Sequence, residues 1–156
     1  MIAIPDLLQT ARYWGITIAT AESCTGGMVA AALTDIAGSS DVFDRGFVTY
    51  SNAAKVAMLG VNPQTLTEFG AVSEQVAVEM AEGAMKHSTA TLTVSITGIA
   101  GPGGSEFKPE GRVCFAIARI HHPTHVETVE FGALGRAKVR KAARDHALAL
   151  LLAALI

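Results

Sequence analysis

The sequence is poor in the features that mark several large protein classes. It has only two cysteines, Cys24 and Cys114, among 156 residues. Their separation matches no zinc-ligand spacing, and nothing suggests a secreted disulfide scaffold, although spacing alone leaves a single bridge open. A dominant charge is missing too: 12 Lys and Arg stand against 14 Asp and Glu, a net charge of −2. That balance gives no electrostatic reason to expect nucleic acid as the main partner. Long apolar runs are absent. The most apolar stretch, ALALLLAALI from Ala147, spans ten residues, and Arg144 and Asp145 close off its extension. A membrane span needs about 20. The start, MIAIPDLL, has neither a basic n-region nor a long apolar h-region and does not read as a signal peptide. The expectation is a cytoplasmic protein away from membranes, built as one domain over residues 1–156. Its last helix is expected in the core or in a subunit interface, which is the ground for expecting a homo-oligomer.

What is present is periodic. Residues 6–14 have helical spacing behind Pro5, and Gly15 ends it. ITIATAE, residues 16–22, reads as a short buried strand, and residues 25–36 read as a helix. AGSS and the VFDRG after it read as loop, residues 46–51 as a second strand, and residues 52–60 as a short helix with Asn52 as N-cap. Residues 63–69 and 73–87 read as helices, the second capped by Ser73. TLTVSIT, residues 91–97, is the clearest strand, followed by a glycine- and proline-rich loop over residues 98–111. Residues 112–119 and 126–131 read as strands joined by a tight turn, the last one an edge, and the chain is helical from about Arg136. The order predicts an α/β fold with a mixed sheet of about five strands and helices on both faces. Ligands in such sheets sit beyond the carboxyl ends of strands. That directs attention to the loops after Glu22, Ser51 and Thr97.

Several stretches carry possible chemistry. TAESCTGG, residues 20–27, lies where a strand hands over to a helix. Helix-start N–H groups lack intrahelical partners and can hold a phosphate or an oxyanion. A serine there is a nucleophile if a base is near. The same residues fit a polar turn with Ser23 or Thr25 as N-cap. Cys24 reads as a small buried thiol rather than a thiolate, since no histidine lies near it in sequence. In YSNAAK, residues 50–55, Lys55 falls on the first helical turn after a strand. Burial lowers the proton affinity of an amine and makes it a base, with Tyr50 at hand to relay a proton. A solvated lysine beside a half-buried tyrosine has the same spacing. The glycine loop is long for so small a domain. It either wraps a phosphate or ribose with main-chain donors or is a surface excursion. Arg136, Arg140 and Arg144 share one helix face, usually a solvated one, and Arg136 at the helix start is the best placed for a ligand. HHPTH, residues 121–125, reads as a surface turn, and no metal is expected.

Four strings in order, TAESCTGG, DIAGSSDVFDRGFVTYSNAAK, GAVSEQVAVEMAEGA and SITGIAGPGGSEFKPEGRV, resemble the CinA C-terminal domain family. The resemblance runs from about Ile16 to Arg119. It implies a three-layer α/β/α sandwich and is similar to the form that stands alone, without the larger N-terminal domain. It also implies hydrolysis of the amide of nicotinamide mononucleotide, giving nicotinic acid mononucleotide and ammonia, with no metal or organic cofactor. Carried onto this chain, Ser23 is the nucleophile, with Thr25 as its rival, Lys55 is the base and Tyr50 assists. Thr25 and the N–H groups through Gly26 and Gly27 bind the oxyanion. Thr97, Gly98, Gly101, Gly103 and Gly104 line the nucleotide pocket, and Arg136 meets the 5′-phosphate. Two other readings stand beside this one: a nucleotide-sensing module without significant turnover, and a hydrolase using the Cys24 thiol.

Overall fold

The structure, a computed structural model, describes residues 3–105 and 107–156. Met1 and Ile2 of the opening stretch and Glu106 of the glycine loop lie outside the described residues. The elements run α1 (Ile4–Tyr13), β1 (Ile18–Glu22), α2 (Met28–Thr34), β2 (Phe43–Val48), α3 (Asn52–Leu59), α4 (Pro63–Phe69), α5 (Glu74–Lys86), β3 (Leu92–Gly98), β4 (Arg112–Arg119), β5 (His125–Glu130) and α6 (Arg136–Ala153). The five strands form one sheet in the order β2-β1-β3-β4-β5. Strands β2 and β3 both run parallel to β1, while β4 and β5 are antiparallel to their neighbours. Helices α1, α2 and α6 cover one face and α3, α4 and α5 the other. This is the expected α/β sandwich with a mixed five-stranded sheet.

The strand TLTVSIT shows how the two layers differ. Leu92, Val94 and Ile96 join the core under α1, α2 and α6, with Phe115 and Leu148. A fully buried side chain of this size stabilises by roughly 1.5–3 kcal/mol. Thr93, Ser95 and Thr97 point the other way and are also buried. Their hydroxyls donate to the carbonyls of Ala81 (2.7 Å), Ala77 (2.6 Å) and Ala71 (2.8 Å). Alternation often marks a strand with one wet face. Here it marks two dry faces, one apolar and one of small hydroxyls bonded to main chain along and just before α5. Small residues on that helix, Ala77, Ala81 and Ala84, allow the close approach.

Some expectations are corrected. Strand β2 begins at Phe43, not Gly46, and ends before Tyr50. Asp44 and Arg45 disguised it, but β2 is an edge strand that can carry charges: Arg45 is largely exposed, and Asp44 accepts the Thr89 N–H at 3.1 Å and pairs with Arg45. Helix α2 starts at Met28 rather than Thr25, because the preceding residues form a tight turn ending at Gly27 with φ +105°. Ser51, not Asn52, caps α3, its hydroxyl accepting the Ala54 N–H at 3.0 Å. The apolar end of α6 is used inside the chain: Val139, Ala143, Ala147, Leu148 and Leu151 are all buried. It therefore offers no argument for a subunit interface.

The topology places the site. From β1 the chain leaves by α2 on one face to β2, then returns by α3 to α5 on the other face to β3. The connections diverge on either side of β1, and a crevice opens at the shared carboxyl ends of β2, β1 and β3.

Candidate active site

A cavity of about 360 Å³ occupies that crevice. Ser23 and Cys24 enter it from the end of β1, Tyr50, Asn52 and Lys55 from β2 and the start of α3, and Thr97 to Ser105 from β3 and the glycine loop. Arg136, from the first turn of α6, closes one side.

At its floor, the Lys55 ammonium nitrogen lies 3.0 Å from the Ser23 hydroxyl. Lys55 is 1% exposed, among the most buried large side chains in the protein. Its Nζ also donates to the carbonyls of Thr49 at 2.9 Å and Tyr50 at 3.2 Å. Carbonyls only accept. Nζ thus donates to three oxygens, the two carbonyls and the Ser23 hydroxyl, and that hydroxyl in turn donates to the Tyr50 carbonyl at 3.5 Å.

The turn holding Ser23 is hydrogen-bonded from both sides. Underneath, the Glu22 carboxylate, fully buried, accepts from the Thr25 hydroxyl (2.6 Å), the Val29 N–H (2.9 Å) and the Ala30 N–H (3.0 Å). From α6, the Arg140 guanidinium donates to the carbonyls of Cys24 at 3.0 Å and Thr25 at 3.4 Å. The Cys24 thiol packs in the core, and burial pushes it up to about 12. At neutral pH it is a thiol, not a thiolate, which removes the footing of a Cys24 nucleophile.

The glycine loop is tethered by side chains. Glu110 accepts from the N–H of Gly103 at 2.7 Å and of Gly135, just before α6, at 3.1 Å. Gly101, at φ +91°, leaves room for that carboxylate, since a Cβ there would lie 2.5 Å from the Glu110 Cδ. Lys108 donates to the carbonyls of Phe69 (2.7 Å) and Val72 (2.6 Å). Arg136 spans the mouth, donating to the Gly101 carbonyl at 2.7 Å and the Tyr50 hydroxyl at 2.8 Å.

Of the residues singled out from sequence, the fold gathers Ser23, Tyr50, Lys55, Thr97, Gly98, Gly101, Gly103, Gly104 and Arg136 around one cavity. Thr25, Gly26 and Gly27 are not among its lining residues. The Thr25 hydroxyl is turned inward to Glu22, the Gly26 N–H closes the turn onto the Ser23 carbonyl at 3.1 Å, and the N–H groups of Val29 and Ala30 are taken by Glu22. The start of α2 is thus capped from within. Sequence reasoning missed Glu22, Arg140, Glu110 and Lys108. A carboxylate ending a wholly buried strand was the available signal for Glu22; the others act over distances that local pattern does not reach. HHPTH gathers no metal-ligand cluster among the described residues. Instead Glu127 accepts from His125 and from His146 of α6, both at 2.7 Å.

A hydroxyl thus lies beside a buried amine at the carboxyl edge of parallel strands, under a glycine-lined pocket. The chain belongs to the CinA C-terminal domain family, whose family model matches residues 5–155. It is 62% identical over 111 residues to a protein of Escherichia coli strain K12 named nicotinamide-nucleotide amidohydrolase PncC, covering 70% of this chain and 67% of that one. A CinA-like protein of Chlorobium phaeobacteroides is 59% identical over 105 residues, which make up 25% of its length. Among solved structures, the competence/damage inducible protein CihA of Agrobacterium tumefaciens superposes with a TM-score of 0.93 at 48% identity, over 96% of this chain and 92% of that one. No helix among the described residues is long and apolar enough to cross a membrane.

Proposed function

We propose that this chain is an amidohydrolase that converts nicotinamide mononucleotide to nicotinic acid mononucleotide and ammonia, in pyridine nucleotide recycling. The observation that carries the reading is the 3.0 Å approach of the buried Lys55 amine to the Ser23 hydroxyl. The name of the Escherichia coli relative supplies the substrate class.

Neutral Lys55 takes the Ser23 proton as Oγ attacks the carboxamide carbon. The oxyanion falls to main-chain N–H groups of the turn that holds Ser23. A well-placed donor of this kind is worth roughly 3–4 kcal/mol. The Lys55 ammonium returns its proton to the leaving nitrogen, and ammonia departs. Water, deprotonated by Lys55, then hydrolyses the ester, freeing Ser23 and the carboxylate product. Tyr50 positions Arg136 through its hydroxyl and the Lys55 amine through its carbonyl. Arg136 meets the 5′-phosphate, and the glycine loop from Thr97 to Gly104 lines the nucleotide. Residues 1–156 act as one domain in the cytoplasm. A homo-oligomer has exposed apolar side chains to draw on, among them Tyr13 and Trp14, which pack edge to face.

Incubation of the purified chain with nicotinamide mononucleotide, with no metal added, tests the reading. Ammonia and nicotinic acid mononucleotide should appear in equal amounts by enzymatic assay and mass. A folded protein that binds the nucleotide and releases neither is a sensing module instead.

A further inference from the structure

The carboxyl group of Glu22 is fully buried, and a buried polar group has to be matched by hydrogen bonds. A helix start does not need it. A Ser, Thr or Asp at the N-cap stabilises a helix with no buried charge, yet the N-cap of α2 is Gly27, which has no side chain to contribute. The cap comes instead from the residue directly before Ser23. Its oxygens gather the Thr25 hydroxyl and the N–H groups of Val29 and Ala30. Thr25, two positions beyond Ser23, and the first turn of α2 are thereby tied to Glu22 on its other side.

The main chain of Glu22 makes a second link. Its carbonyl accepts the Thr49 N–H at 2.9 Å, and the Thr49 carbonyl accepts from the Lys55 Nζ at 2.9 Å. One residue thus holds the hydroxyl's turn by its side chain and the amine's platform by its backbone. We propose that Glu22 is a positioning residue for the reaction: its buried carboxylate sets the separation and alignment of Ser23 Oγ and Lys55 Nζ. It does not touch substrate. The inference rests on the Ser23–Lys55 reading of the site.

The test uses Glu22→Gln, which keeps the shape but offers an amide N–H₂ to a site where all three partners are donors. A misplacement near 1 Å costs on the order of 10²-fold in rate. The variant should therefore show a kcat lower by about that factor with KM for nicotinamide mononucleotide unchanged. The rate at which a fluorophosphonate labels Ser23, read by intact mass, should fall in parallel. Thr25→Val removes one donor to the carboxylate and should lower kcat and labelling more mildly, while Thr25→Ser restores both. This pair decides the matter if Glu22→Gln does not fold. A folded Glu22→Gln with wild-type kcat and labelling overturns the proposal, as does a loss confined to KM. Wild type that labels at Ser23 but does not deamidate removes the substrate reading alone, and labelling rates then judge Glu22. Wild type that does neither overturns both.

Discussion

Two loops leave adjacent parallel strands and meet over the cavity, and they are built on opposite plans. The turn after β1 is buried from Ser23 to Thr25 and tied on both sides, by Glu22 from below and Arg140 from α6. The loop after β3 is largely exposed and tethered at intervals by Glu110, Lys108 and Arg136. A nucleophile must be held to within a fraction of an ångström of its productive position beside its base, which favours a turn with little freedom. A nucleotide has to enter and leave, which favours a rim held by few, separable contacts. The two arginines of α6 divide the same way: Arg140 grips the turn, Arg136 spans the rim. Substitutions in the turn should therefore act on kcat, and those in the rim on KM.

The largest effect should come from the pair at the floor. Ser23→Ala and Lys55→Met should each lower kcat by about 10⁴-fold or more while leaving the fold intact, and the double variant should be scarcely worse than either. Ammonia release and circular dichroism check this, and near-normal turnover in Ser23→Ala would move the attack elsewhere.

The rigidity of the turn also has a signature in alkaline stability. The Cys24 thiol is pushed by burial from an ordinary 9.0 to about 12. Below the unfolded value both states keep the proton and stability is unaffected. As pH rises from 9.0 toward about 12, the unfolded chain ionises first and stability is lost. The loss approaches ~4 kcal/mol at the top of that window. Urea titrations across it should show a shallower decline for Cys24→Ala than for wild type.

The arginines give a more direct contrast. Arg140→Met removes charge-assisted bonds worth about 1.5–3 kcal/mol and should lower kcat by roughly 10- to 100-fold with KM little changed. Arg136→Ala should raise KM for nicotinamide mononucleotide by a similar factor, roughly 10- to 100-fold. Turnover of nicotinamide riboside, which lacks the phosphate, should be nearly indifferent to it. Steady-state kinetics on both substrates would break the comparison if the two variants behaved alike.

The smallest effect lies outside both loops. Ser95→Ala deletes the bond to the Ala77 carbonyl beneath α5 and should cost about 1 kcal/mol by chemical denaturation, with kcat unaltered.

The same contrast explains what the sequence made legible. Strand and helix order was readable because periodicity is local: residues 91–97 alternate, and α3 and α4 are bounded by Gly60 and Pro63. Ser23, Tyr50 and Lys55 stood in strings that resemble a family, and parallel strand ends predicted where they would meet. What was not legible depends on long-range contact. Arg140 reaches Cys24 across 116 residues of chain, and a helical repeat of arginines looks the same whether it faces water or a turn. Glu22 was hidden differently: a helix start reads as free N–H groups until the carboxylate filling it is seen. The start of β2 was obscured because charged residues at a sheet edge imitate a loop.

The central claim is that Ser23 Oγ, activated by Lys55, attacks the carboxamide. It is tested most directly by acid-quenching wild type during turnover of nicotinamide mononucleotide and sequencing the peptide that carries residues 20–27 by tandem mass spectrometry. The account predicts a nicotinoyl-mononucleotide ester on Ser23 that forms in wild type and is missing from Lys55→Met. An adduct on Cys24 or Thr25, or rapid turnover with no adduct at any time point, would contradict it.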